Sequence, residues 1–105
     1  EPSSIAGIAT EVFRKSQNGS EYLDEIRSTL GFKINLISQQ VEAELGFMTA
    51  AAFDGQDAVA WDSGGGSFQI CAKDPATAEL RTYLGALGTG IVASICVVDV
   101  QGSNL

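Results

Sequence analysis

Asp62-Ser63-Gly64-Gly65-Gly66-Ser67 is the stretch of this chain best equipped for chemistry. It lies between a short apolar run, Ala58 to Trp61, and an alternating one, Phe68 to Cys71, and both read as strands. The glycines then form the turn of a hairpin whose first strand ends in a carboxylate. Three residues without side chains let the backbone close on a bulky anion with N–H groups aimed inward, and Ser67 adds a hydroxyl donor. An aspartate entering such a loop can hold a divalent metal against phosphate oxygens. Taken alone, the hexapeptide reads more commonly as an ordinary glycine-rich hairpin turn, so its neighbours must decide.

Composition narrows the chemistry. The chain contains no histidine. That removes Ser–His–Asp and Cys–His nucleophilic triads and the commonest zinc ligand, leaving carboxylates, hydroxyls, backbone amides and a hard metal. A net charge of -7 argues against a nucleic-acid partner, which requires a basic face. The same charge makes a polyanionic substrate awkward. Only six Lys and Arg residues are present, so a bound phosphate would need local cations or a metal.

Its 105 residues allow one domain at most, and 45% hydrophobic against 18% charged residues exclude disorder as the default. Cys71 and Cys96 sit in apolar runs and read as buried thiols of a reducing cytoplasm, a disulfide between them being the less common alternative. No run is long and apolar enough to span a bilayer and no signal peptide opens the sequence, so no membrane role is expected. Asn18-Gly19-Ser20 fits a glycosylation sequon, which without a secretion signal reads as chance.

The elements that would carry the loop follow from patterning. Thr10 to Ser16 reads as a short helical turn, with Arg14 and Lys15 the densest positive charge. Asn18 reads as a cap with Glu21 three residues on, and Tyr22, Leu23, Ile26 and Leu30 share one helical face before Gly31 supplies a left-handed stop. Phe32 to Ile37 alternates as a strand, and Ser38 caps a second helix with the apolar face Val41, Leu45, Met48 and Ala52. Gly46 inside that helix costs ~1 kcal/mol against alanine, which suggests a close neighbour or a substrate needing the space.

Lys73 to Thr77 reads as a turn and Glu79 to Leu84 as a returning strand. Gly85, Gly88 and Gly90 then punctuate the chain in an order unlike a dinucleotide fingerprint. Ile91 to Val100 fits either a strand or a helix apolar on all sides, and Gln101 to Leu105 is a polar end without a cap, as in a truncated chain. Trp61 and Phe68 read as core, flanking the turn on their strands. The expected fold is α/β, a mixed sheet with flanking helices, residues 1–105 forming a single partial domain.

With these elements placed, the chain resembles the exopolyphosphatase and guanosine pentaphosphate phosphatase family. Ala9 to Gly19 is similar to that family's Ala-Thr-x-x-x-Arg-x-x-x-Asn-Gly block. Ile37-Ser38 followed by Val41-Glu42-Ala43 resembles its Ile-Ser-Gly-x-Glu-Glu-Ala block, and Asp62 to Ser67 its Asp-x-Gly-Gly-Gly-Ser-x-Glu phosphate loop. A weaker likeness reaches Leu87-Gly88. The three blocks in order are far more specific than any one of them.

The resemblance implies an actin-like, ribonuclease H-like ATPase-type lobe, present only in part, acting with Mg2+ on polyphosphate or guanosine pentaphosphate. By it, Glu42 falls on the carboxylate that activates or orients the attacking water, and Asp62 on a residue contacting the metal or its waters. Gly64, Gly65, Gly66 and Ser67 fall on the phosphate loop, and Arg14 on a cleft arginine. Phosphoryl transfer rests on positioning and charge neutralisation, which a carboxylate, an amide cradle and a metal supply without histidine.

Departures from the family pattern are Gln39, Val41, Glu44, Ser63 and Gln69, and the family's amino-terminal phosphate loop and opposing lobe are missing. The isolated chain is therefore expected to be inactive. The alternative is a non-catalytic phosphate-binding or scaffold module of the same fold. Exposed strand edges make a homodimer plausible.

Overall fold

The computed structural model describes residues 3–100, so the polar end from Gln101 lies outside the described residues. The chain divides into two compact units, Glu1–Gln39 and Gln40–Leu105. In the first unit, strand β1 (Gly7–Ala9) and strand β2 (Ile34–Leu36) pair in parallel, with Ile8 opposite Asn35. Helices α1 (Glu11–Lys15) and α2 (Gly19–Leu30) form the crossover between them. A parallel pair requires such a connection, because the chain must return to the same end of the sheet.

Gly19 is buried at the start of α2, where an added Cβ would penetrate the Phe13 carbonyl, so the α1–α2 junction closes only on a glycine. Asn18 occupies the cap position of α2 but its side chain makes no cap hydrogen bond; the Tyr22 amide instead donates to the Asn18 carbonyl at 3.0 Å. Gly31 ends α2 with φ 75°, the left-handed stop expected from the sequence. Of the predicted apolar face only Leu23 is buried, while Tyr22 and Leu30 are exposed.

The second unit is a helix laid on a three-stranded antiparallel sheet. Helix α3 (Gln39–Asp54) is followed by strands β3 (Val59–Ser63), β4 (Phe68–Lys73) and β5 (Leu80–Gly85), in the order β3-β4-β5. Parallel and antiparallel ladders are thus both present, in separate sheets. The core of this unit is Ala43, Phe47 and Ala51 of α3 against Ala60 and Cys71 of the sheet. The spacing i, i+4, i+8 puts one large ring between two alanines on the face turned to the sheet, so Phe47 is the side chain that fills the space between helix and strands.

This differs from the expected face. Val41, Leu45 and Met48 are exposed, because α3 carries two apolar stripes and the one with alanines at its ends fits the sheet better. Gly46 faces open space, with nothing within 4 Å of an added Cβ, so no packed neighbour accounts for it.

After β5 the chain is helical: α4 (Thr89–Ala93) continues into a π-helical segment, Ser94–Val100. Of the two readings of residues 91–100, the helical one holds. Cys71 is buried and free, and burial, with a smaller contribution from Glu44, pushes its thiol pKa up. Cys96 is also free but exposed, contrary to the expectation of two buried thiols. No helix among the described residues is long and apolar enough to cross a membrane.

Candidate functional site

The hairpin register fixes the geometry of the site. Ala60 lies opposite Cys71 and Asp62 opposite Gln69, so these four residues share one face of the sheet. It is the face α3 covers, since Ala60 and Cys71 pack with Ala43, Phe47 and Ala51. Glu42 precedes Ala43 in the first turn of α3, and its Oε2 is shielded from solvent. Asp62 and Glu42 therefore belong to the same side of the sheet.

At the hairpin end of that face Gln69 is 2% exposed, and its Nε2 donates to Asp62 Oδ2 at 2.9 Å. The sequence marks Gln69 only as a departure from a glutamate. Its amide supplies a neutral donor to the carboxylate where a glutamate would have placed a second negative charge. Among the described residues no group of three or more His, Cys, Asp or Glu could hold a metal ion. That donor set does not make an all-protein cage for a metal, and Asp62 is the carboxylate that stands at the bend.

The glycine bend is built differently from a hairpin turn that depends on left-handed glycines. Among the described glycines positive φ occurs at Gly31 and Gly55 and at neither Gly64 nor Gly65. The Gly64 amide donates to the Ser67 carbonyl at 2.9 Å and closes the turn. On its other side the bend docks on the start of α4: the Thr89 amide donates to the Gly64 carbonyl at 2.9 Å and the Gly90 amide to the Gly65 carbonyl at 3.0 Å. Thr89 Oγ1 adds a 3.2 Å bond to the Gly64 carbonyl. Gly65 is exposed, Gly64 and Gly66 are half-buried, and Ser67 is buried at 3% exposure.

Gly85, Gly88 and Gly90 acquire a reason here. A Cβ at Gly85 would enter the Phe68 ring, one at Gly88 would meet the Gly65–Gly66 peptide, and one at Gly90 would stand 3.0 Å from the Gly65 carbonyl oxygen. Sequence reasoning missed these positions. Their signal was a run of glycines just after a strand, the usual mark of a backbone passing close by.

Arg14 lies in the other unit. Its Nη1 donates to the Ile37 carbonyl at 2.9 Å and its Nη2 bonds Glu11 Oε2 at 3.2 Å, tying α1 to the end of β2. Lys15 also pairs with Glu11, and the Lys15 and Arg14 bonds together hold the Glu11 carboxyl below its ordinary pKa.

The opposite face of the hairpin is apolar. Trp61 is 74% exposed rather than buried in the core, because its face is the one α3 does not cover. With Phe68, Leu87, Val92 and Cys96 it lines a cavity of about 530 Å³. The carboxylates of the candidate site do not line it.

Comparison with known proteins decides what this arrangement belongs to. The model of the Ppx/GppA phosphatase family matches residues 1–99. The chain belongs to that family. Among solved structures, an exopolyphosphatase-like protein superposes with a TM-score of 0.69 at 22% identity, over 88% of this chain and 32% of that one. A Ppx/GppA family member from Aquifex aeolicus superposes with a TM-score of 0.66 at 20% identity, over 83% of this chain and 29% of that one. A further Aquifex aeolicus Ppx/GppA enzyme structure gives 0.65 and 19%, over 89% and 30%.

No curated protein matches. At these identities the solved structures speak for the fold, which is the α/β, actin-like lobe that the resemblance implied. The chain spans about a third of the length of these Ppx/GppA relatives.

Proposed function

We propose that this chain forms part of one lobe of a phosphatase that hydrolyses terminal phosphoanhydride bonds of polyphosphate or guanosine pentaphosphate. In this reading Glu42 orients or activates the attacking water, and the Gly64–Ser67 bend receives the phosphate. Arg14 is assigned to the phosphate from the family block it matches. Asp62 would hold a magnesium ion, which when bound supplies neutralisation of phosphate charge. The observation that supports the reading is the shared face: α3 lies on the side of the sheet to which Asp62 belongs, Glu42 is in its first turn, and Asp62 leads into a backbone bend with exposed glycine.

The chemistry this chain's own residues offer is positional. A carboxylate with one oxygen shielded from solvent is a suitable general base, and glycine amides can serve as donors for a developing oxyanion. Two free thiols suit the cytoplasmic setting we assign to it. The isolated chain is expected to lack turnover, and self-association through the edges of β3 and β5 is part of the same proposal.

One observation favours a second reading, a non-catalytic phosphate-binding or scaffold module. Gln69 already satisfies Asp62 Oδ2, which weakens the case for a metal ligand there. Phosphate release from polyphosphate and from guanosine pentaphosphate, measured on the full-length protein with and without Mg2+, separates the two. The phosphatase reading expects magnesium-dependent release that falls about 10²–10⁴-fold in Glu42→Gln. No release, or release unchanged by that substitution, would refute it.

A further inference from the structure

The two bonds from α4 to the glycine bend act on whole peptide planes. Every described peptide is trans, so the N–H of a residue points opposite to the carbonyl before it. The Gly64 carbonyl is held by the Thr89 amide and hydroxyl, and the Gly65 carbonyl by the Gly90 amide. The N–H groups of Gly65 and Gly66 belong to those same two peptide planes. They consequently point away from the Thr89 and Gly90 amides, although the Gly66 nitrogen itself packs beside Gly88, and neither donates to a carbonyl among the described residues.

We propose that the first turn of α4, Gly88 to Gly90, is the positioning element of the bend: by taking two carbonyls it presents the Gly65 and Gly66 amides as a paired donor for a phosphate-type oxyanion. This rests on the anion-binding reading given above and deepens it. Left alone, a triple-glycine segment samples many peptide orientations and would present both amides together only a small part of the time. Fixing both planes before the ligand arrives removes that ordering cost from binding.

The helix start is itself no ligand site, because protein carbonyls fill it. The close fit explains why the turn is Gly88-Thr89-Gly90. A Cβ at Gly88 collides with the Gly65–Gly66 peptide, and Thr89 contributes both its amide and its hydroxyl to one carbonyl. Thr89 is a positioning residue here, acting through Gly64.

The test is 15N–1H NMR on this chain, with inorganic phosphate as the probe. In the unsubstituted chain the Thr89 and Gly90 amides are expected to be protected from hydrogen exchange, and the Gly65 and Gly66 resonances to move together as phosphate is added. Gly88→Ala should weaken that phosphate response about tenfold or more. Thr89→Ala should weaken it about threefold with restoration in Thr89→Ser, a rescue that general loosening of the helix would not give. Val92→Ala, on the same helix but away from the bend, should leave it unchanged.

Unprotected Thr89 and Gly90 amides would overturn the proposal outright. Phosphate moving Gly65 and Gly66 equally in all variants would overturn it while leaving anion binding intact. Protected amides with no phosphate response in any form would instead defeat the anion-loop reading and this proposal with it. Should Gly88→Ala fail to fold, the Thr89→Ala and Thr89→Ser pair decides alone.

Discussion

Gln69→Glu turns the Asp62–Gln69 contact into a measurable pH dependence. Gln69 is almost fully buried and donates to Asp62 Oδ2 at 2.9 Å, in a pair fixed by the strand register. The substitution keeps the shape but exchanges the donor for a carboxyl. When protonated, that carboxyl still donates to Asp62; when ionised, it faces another carboxylate at hydrogen-bond distance. Two unit charges at this separation repel by about 5–6 kcal/mol with an effective dielectric of about 20. Asp62 is exposed and free to turn away, so about half of that, about 3 kcal/mol, is the realistic cost.

At about 1.4 kcal/mol per pKa unit, the introduced carboxyl should titrate about two units above an ordinary glutamate, near pH 6 to 7. The sign follows from proton linkage. A folded-state pKa raised above the unfolded value means stability is fully present below about pH 4 and is lost as pH rises to about 7. The assay is urea unfolding of the parent chain and of Gln69→Glu at matched pH values, read as the difference between them. That difference should grow by about 3 kcal/mol between about pH 4 and about pH 8. Millimolar Mg2+ at the alkaline end of that range should recover part of it in the variant and change the parent little, since a cation between paired carboxylates binds the folded form alone. A difference that stays flat with pH would show that Gln69 does not stand against Asp62, and the cross-strand pairing that builds the candidate site would be wrong.

Two further outcomes can be checked on the same material. Gly46→Ala should raise stability by about 0.5–1 kcal/mol, seen as a higher thermal midpoint, because an added methyl meets nothing within 4 Å on an otherwise helical backbone. A lower midpoint would mean a close neighbour exists there after all. Burial raises the Cys71 pKa, so the chain should hold its stability below the ordinary thiol value of about 8.5 and lose some as pH rises past it. Cys71→Ala should flatten that alkaline limb, and a thiol reagent should modify exposed Cys96 quickly and Cys71 only on unfolding. Equal reaction rates for the two thiols would contradict the burial.

The parts of this fold written in local chemistry were readable from the chain. The hairpin around the glycines, the strand at 34–36 and the stop at Gly31 all follow from alternation, β-branching or a left-handed residue. What escaped were choices that depend on a partner surface. Helix α3 has two apolar stripes, and periodicity alone cannot say that the Ala43–Phe47–Ala51 stripe meets the sheet while Val41, Leu45 and Met48 stay outside. Strand β1 is three residues long and carries too little pattern to be seen without β2 beside it. The candidate site was nameable only as a set of residue types, Glu42 and Asp62 among them, and its geometry was not. Gln69 and the Gly88–Thr89–Gly90 turn were not, because their roles are contacts made across 7 and about 25 positions of sequence.

The Asp62–Gln69 pair also ties the candidate chemistry to folding. On the covered face of the hairpin the core ends at Ala60 and Cys71, and the next cross-strand pair outward is Asp62 with Gln69. A primary amide almost fully removed from water needs a partner, since leaving it without one costs about 1–3 kcal/mol. Asp62 meets that need from the strand opposite. The carboxylate that would serve a metal is thus also the acceptor that makes a buried glutamine tolerable, and any ligand drawing Asp62 away must offset the lost bond. With a glutamate at position 69 the requirement inverts, because the fold would then need a proton or a cation between the two carboxylates. The residue at position 69 therefore sets what a cation at Asp62 must displace: here one amide hydrogen bond, and with glutamate no bond at all but a charge repulsion to relieve.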